Sequence, residues 1–366
     1  MKEVNPFLVW FHQGSNLKQL ELNPKAKKIL DLVNKNQINL SKLRKLSQSG
    51  NPDEPAGVRS LVWKVLLGYL SVSPKEWKTS LKQHRFNYQL YLNELITPND
   101  ELWTHIEKDI RRTRRDMHFF WKPKDTTLSY QDVTQGNVPP RVLSKPFMTG
   151  LDEVLGHSND PYLVAIMNNP DIEKHADVVA RILFIYAKLN KDVSYVQGMN
   201  ELLAPIYYLF SMDSHPDFKD HVEADAFFCF CRVMSALRDF YVVSLDYSEN
   251  GICTQLQTHF ELIKLHDYKL FLKMKALKIK PFYYSAKWLL LLFSQELSIP
   301  EVFRLWDLFF AHSKICRILH YFCLAVVIRN KAKILKSSLN EALLALQHPN
   351  LDNLQDLIHR ALCLSK

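Results

Sequence analysis

Residues 178–210 read VVARILFIYAKLNKDVSYVQGMNELLAPIYYLF, and the spacing of their apolar side chains decides the fold class. Val178, Val179, Ile182, Leu183 and Tyr186 recur at three- and four-residue intervals, and Met199, Leu202, Leu203, Ile206 and Phe210 repeat the pattern. That is the period of a helix with one apolar face, not the alternation of a strand. The same texture continues to Ile328, and only 9 glycines punctuate 366 residues. An all-α protein is expected, and a chain of this length with 47% hydrophobic residues can bury a sizeable core.

Working outward, Asn23-Pro24 reads as a helix start, with Ile29, Leu30 and Val33 on its apolar face. A second short helix is expected to end at Gly50, so residues 1–50 form an amino-terminal helical extension. After the turn-rich stretch 51–57, Arg59 and Trp63 stand four apart on one helix face, where they suit buried packing or a cation against the indole. The main domain is expected to span 51–335. Within it six prolines between Phe120 and Asp171 break the helical stripes, so 121–171 reads as an irregular insertion. Residues 336–366 are expected to be a carboxy-terminal helical tail that packs back on the domain.

Composition excludes several classes of function. The six cysteines (Cys229, Cys231, Cys253, Cys316, Cys323, Cys363) form no Cys-x-x-Cys pair, which favours free thiols in a reducing compartment and no structural zinc. None of the 14 histidines opens a His-Glu-x-x-His helix, and no Gly-x-Ser-x-Gly elbow is present. The nearest approach to a phosphate loop, from Gly150 to Gly156, has one residue too many between its glycines and continues with His157-Ser158. Met1-Lys2-Glu3 opens no signal peptide, and the apolar runs are too short to span a bilayer. The terminal Cys363-Leu364-Ser365-Lys366 fits a prenylation box poorly. A cytoplasmic protein without an integral membrane segment is expected. The net charge of +9 is distributed over Lys25 to Lys28, Arg111 to Arg115 and Lys331 to Lys336, with no nucleic-acid motif.

Two short polar motifs remain. Asp100 is a good helix cap, and Leu102, Trp103, Ile106 and Ile110 make the apolar stripe behind it. On a helix continued through Asp116, Asp109 and Asp116 flank Arg112 and are expected to hold its guanidinium, whereas Arg111, Arg114 and Arg115 point elsewhere. In the second motif Gln197 and Gly198 precede the helix at Met199. Unpaired N–H groups there favour phosphate oxygens, glycine admits a close backbone approach, and Tyr195 adds packing area. Taken singly, the same residues also fit a surface ion pair and a hydrogen-bonded turn glutamine.

Together, Arg59-x-x-x-Trp63, Ile106-x-x-Asp109-x-x-Arg112 and Tyr195-x-Gln197-Gly198 resemble, in order, three elements of the TBC-domain family of Rab GTPase-activating proteins. Trp288 with Leu290 and Phe293, then Arg304-Leu305-Trp306-Asp307, resemble its carboxy-terminal packing signature. The resemblance extends from about Arg59 to Ile328. It implies an all-α fold with amino- and carboxy-terminal helical subdomains and a GTP-bound Rab as partner. Arg112 and Gln197 are then arginine and glutamine fingers, supported by Ile106, Asp109, Thr113, Tyr195 and Gly198 and, structurally, by Arg59, Trp63, Trp288, Trp306 and Asp307. No cofactor or metal belongs to the chain on this view, since GTP and Mg²⁺ are carried by the Rab. Membrane association is then indirect, through that partner.

The chain departs from the family twice. Arg115 stands where many members carry proline, and the stretch between the two fingers is long. These departures motivate an alternative, a TBC-fold scaffold that binds GTP-loaded Rab without acceleration. A third reading, a basic nucleic-acid or membrane-surface binder, rests on net charge alone.

Overall fold

The protein is described here by a computed structural model that covers residues 23–97, 100–114, 116–124 and 172–366. Most of the expected insertion, the stretch from Gly150 to Gly156 and Arg115 lie outside the described residues. The described chain is all helical, with a single isolated antiparallel bridge between Pro123 and Lys174 and no strand. No helix among the described residues is long and apolar enough to cross a membrane.

In chain order the helices are α1 (Pro24–Val33), α2 (Leu40–Ser47), α3 (Val58–Leu66), α4 (Trp77–Leu95), α5 (Glu101–Ile110), α6 (His175–Leu189), α7 (Met199–Ser211), α8 (Pro216–Lys219) and α9 (Val222–Leu237). There follow α10 (Ile252–His266), α11 (Tyr268–Ala276), α12 (Phe282–Leu291), α13 (Ile299–Phe310), α14 (Ile315–Arg329), α15 (Lys331–Lys336), α16 (Leu339–Gln347) and α17 (Leu354–Leu364). Their starts follow local chemistry. Asn23 accepts from the Lys25 amide with Pro24 in the first turn of α1, Asn39 caps α2, and capping boxes Ser298/Glu301 and Ser338/Glu341 open α13 and α16.

The chain forms two compact units, Met1–His84 with Tyr208–Lys366, and Arg85–Tyr207. In the first, α3 is buried on every side. Trp63 packs edge-on to Phe303 and Phe310, with ring centroids 5.6 and 4.9 Å away, and lies 6.0 Å from Trp306. The carboxylate of Asp307, wholly buried, accepts from the Trp63 indole at 2.7 Å, from the Asn51 backbone and side chain at 2.6 Å each, and from Arg59 Nε at 3.2 Å. Arg59 lies over the ring of Phe303, 5.7 Å from its centroid, so the cation sought for the indole sits on a phenylalanine. Trp306 donates to the Leu292 carbonyl at 3.0 Å, and Trp288 stacks near Phe293. α17 packs against α14 and α13.

The second unit is centred on α5 against α6. Trp103 stacks on Phe184 at 3.8 Å between centroids, and Ile106 and Ile110 are buried with it. Asp100 caps α5 through the Leu102 amide and also pairs with Lys188 of α6, whose ammonium holds the Asp100 carboxyl below the usual carboxylate range. One short side chain thus starts one helix and ties it to the next.

Candidate functional site

All three residues of the first polar motif and the whole of the second fall within the second unit. α5 does not continue to Asp116. It ends at Ile110, after which Arg112 N–H reaches back only to the Asp109 carbonyl and Thr113 N–H to the Ile110 carbonyl, each at 3.0 Å. The three-residue spacing is a tighter turn than an α-helix, and the Asp109 carbonyl is also taken by the Thr113 hydroxyl at 3.0 Å. Arg114 then adopts a left-handed conformation, φ 42°, which breaks any helical register.

This geometry overturns the expected grip on Arg112. Asp116 pairs with Arg114 at 2.8 Å, Glu107 pairs with Arg111 at 3.1 Å, and Asp109 accepts from the Tyr195 hydroxyl at 2.7 Å. Arg112 is exposed and its side chain has no partner among the described residues. The helical wheel marked Arg112 as the arginine held by carboxylates, whereas among the described residues Arg112 has no carboxylate partner and Arg111 and Arg114 are the ones paired.

The second motif lies in the loop after α6. Asn190 closes that helix by donating to the Tyr186 carbonyl at 2.8 Å, and Ser194 takes a left-handed φ of 55°. Gly198 sits immediately before α7 with φ 104°, a conformation that a side chain would strain. Gly198 is buried while Gln197 beside it is exposed, without a side-chain partner among the described residues. The loop therefore presents the carboxamide outward at the amino end of a helix, where the macrodipole is positive.

The two motifs are joined through a residue that sequence reasoning missed. Asn200, 4% exposed, donates from Nδ2 to Thr113 Oγ1 at 2.8 Å and to the Asp109 carbonyl at 3.4 Å. Its Oδ1 accepts from the Gly198 amide at 3.1 Å and lies 3.4 Å from the Tyr195 hydroxyl, whose proton goes to Asp109. Asp109, Thr113, Tyr195, Gly198 and Asn200 thus form one hydrogen-bonded base, from which Arg112 and Gln197 are left out. A signal for Asn200 was present: it stands three and four residues before Leu203 and Ala204, both fully buried, so a polar side chain occupies an apolar stripe. Ile106 is buried in the helix pair beneath this base. Arg59, Trp63, Trp288, Trp306 and Asp307 belong to the other unit.

Chemically, this base offers a guanidinium with five donors and a carboxamide that both donates and accepts. Among the described residues no cluster of histidine, cysteine or carboxylate groups could hold a metal ion. Arg112 and Gln197 are the exposed polar side chains beside this base.

Comparison with known proteins gives that arrangement a context. The profile of the Rab-GTPase-TBC domain family matches residues 167–335, which include Gln197 but not Arg112. The chain is 32% identical to "TBC1 domain family member 13" of Homo sapiens, over 90% of this chain and 95% of that protein, and equally so to the protein of that name from Mus musculus. It is 27% identical to "TBC domain-containing protein C1952.17c" of Schizosaccharomyces pombe, over 91% of this chain and 71% of the other. Among solved structures, the Ypt/Rab-GAP domain of Gyp1p shares the fold with a TM-score of 0.71 at 20% identity, covering 93% of this chain and 97% of that one. An all-helical chain with these motifs, similar over nearly its whole length to such relatives, belongs to the Rab-GTPase-TBC domain family.

Proposed function

We propose that the protein accelerates GTP hydrolysis on a Rab-family small GTPase, with Arg112 and Gln197 acting in trans as arginine and glutamine fingers. The observation that carries this reading is the hydrogen-bonded base that joins the two motifs yet leaves both fingers exposed and unpartnered among the described residues. A guanidinium already paired with a carboxylate would need to break that pair before reaching a phosphate. Among the described residues Arg112 has no partner, which leaves its donors for the charge that develops on the transferring phosphoryl group. Gln197, at the positive end of α7, orients the attacking water. GTP and Mg²⁺ arrive on the GTP-bound partner, which also supplies a link to endomembranes, and the protein itself works from the cytoplasm.

An arginine supplied in trans accelerates GTP hydrolysis roughly 10³- to 10⁵-fold, equivalent to ~4 to 7 kcal/mol of barrier. Single-turnover hydrolysis across a panel of GTP-loaded Rab proteins is the test. One or more should be accelerated by the wild type and lose nearly all of that acceleration with Arg112→Lys or Gln197→Ala. Wild-type rates from both variants would sink the finger assignment. GTP-dependent binding with no acceleration of any Rab would instead make the protein a scaffold.

A further inference from the structure

The net charge that looked distributed along the sequence is concentrated in one place. Between Asn23 and Gly50 the chain carries Lys25, Lys27, Lys28, Lys35, Lys42, Arg44 and Lys45 against the single carboxylate of Asp31, a net +6 of the +9 of the whole protein. The fold sorts these residues by face. Ala26, Ile29, Leu30 and Val33 of α1 and Leu43 of α2 are fully buried, so the cationic faces are what the two helices leave to solvent.

The two faces meet in a groove of about 590 Å³. From α1 and its carboxy-terminal turn come Lys28, Leu32 and Lys35, spaced i, i+4, i+7, and from α2 come Lys42, Lys45 and Leu46, spaced i, i+3, i+4. Each wall is therefore one helical stripe, with lysines at the rim and a leucine below. All four lysines are exposed, and none is ion-paired among the described residues, although Asp31 stands on the same wall. The platform is anchored by Lys25 donating to Ser49 Oγ at 2.7 Å, by Arg304 donating to the Gln48 carbonyl at 3.2 Å, and by the Ile38 amide on the Val72 carbonyl at 2.8 Å.

We propose that this hairpin docks directly on an anionic phospholipid surface, with Lys28, Lys35, Lys42 and Lys45 among the lipid phosphates. Charge complementarity selects an anionic partner, and two details select the bilayer. The cations of the groove are all lysines, four against the single carboxylate of Asp31. Lysine is a compact, mobile point charge suited to a fluid layer of phosphates, whereas ordered carboxylates of an acidic peptide are better read by the fork of arginine. The floor is also small: Leu32, 9% exposed, and the half-buried Leu46 are its two apolar side chains, fewer than the i, i+3, i+4, i+7 anchors of a helix laid in a groove. The proposal is independent of the finger mechanism, since no residue of that base takes part.

The test is co-sedimentation of the full chain with phosphatidylcholine vesicles, with and without about 30 mol% phosphatidylserine, at low and high salt. Binding should require phosphatidylserine and weaken as salt rises. A lysine near such a surface contributes about fivefold in affinity, so the quadruple Lys→Gln variant should lose binding by on the order of several hundredfold. The quadruple Lys→Arg variant should retain it. Both should keep the wild-type melting temperature and the wild-type effect on Rab GTP hydrolysis in solution. Equal vesicle binding by the wild type and the Lys→Gln variant would overturn the proposal. So would capture of an acidic peptide, RNA or soluble inositol hexakisphosphate by this groove in a chain that ignores the vesicles.

Discussion

Asn200 carries a disproportionate share of the organisation around the motifs, because one carboxamide meets four groups drawn from Asp109, Thr113, Tyr195 and Gly198. A buried amide that loses its partners, or partners that lose their amide, costs about 1–3 kcal/mol per unsatisfied group. We expect Asn200→Ala to lower stability by about 2–3 kcal/mol on that scale, read as a fall in the urea midpoint. Asn200→Asp should be as harmful despite equal size, since it presents an oxygen where Thr113 Oγ1 and the Asp109 carbonyl need a donor. If the base positions the fingers, both variants also slow single-turnover Rab hydrolysis more than they weaken Rab binding. A variant with normal hydrolysis would confine Asn200 to a structural role. Motif spacing offered Arg112 and Gln197 as candidates, and the structure shows both exposed; Asn200, buried beneath them, carries no outward-facing signal. The expected carboxylate grip on Arg112 failed for a local cause: the Thr113 hydroxyl and the left-handed Arg114 end the helix before its wheel can bring Asp116 round.

Among the elements, α3 shows how far periodicity can be trusted. The apolar stretch from Arg59 through Leu67 signals a helix, and its start after the turn-rich residues 51–57 was readable from composition. That Lys64 lies wholly inside was not. Its ammonium donates to Ser60 Oγ at 2.9 Å and sits 3.5 Å from Asp213 and 3.8 Å from Asp225, with the ring of Phe218 3.8 Å away. Asp225 in turn accepts from the Tyr69 hydroxyl at 2.7 Å. Burying one cation between two carboxylates is tolerable only while all three remain. Lys64→Met is therefore expected to cost about 3–5 kcal/mol, because two wholly buried carboxylates lose their cation. Adding Asp213→Asn and Asp225→Asn should recover part of that loss in urea titrations. A Lys64→Met chain as stable as the wild type would show the cluster to be dispensable. Helix starts were legible for the opposite reason: a cap such as Asn23 or Asp100 acts within three residues, while the carboxylate partners of Lys64 stand 149 or more residues away.

At the scale of the molecule the all-helical class followed from the apolar period, but the grouping of residues 1–84 with 208–366 is non-local and no local pattern carries it. Buried histidines are expected to make that larger unit sensitive to acid. Burial lowers His259 to about 3 and His320 to about 4, and the two rings stack 6.4 Å apart beside Tyr284. Both folded values lie below the unfolded value near 6.5, so the unfolded chain binds more protons as pH falls. The stabilisation is present above about pH 6.5 and is lost as pH drops toward the folded values. Each neutral histidine should cost about 2 kcal/mol between pH 7.5 and pH 5, and His259→Leu should flatten the pH dependence of the urea midpoint by that amount. An unchanged slope would remove His259 from the account. The Asp307 hub has a consequence of another kind, in time. Asn51, Arg59 and Trp63 leave the ribosome 256, 248 and 244 residues before the carboxylate that receives them. At about 5–20 residues per second, that interval lasts roughly 12–50 s. Throughout it Arg59 has only its local partners, Asp53 and the Asn51 carbonyl, while the Trp63 indole and the Asn51 amides wait for α13 to bring their acceptor.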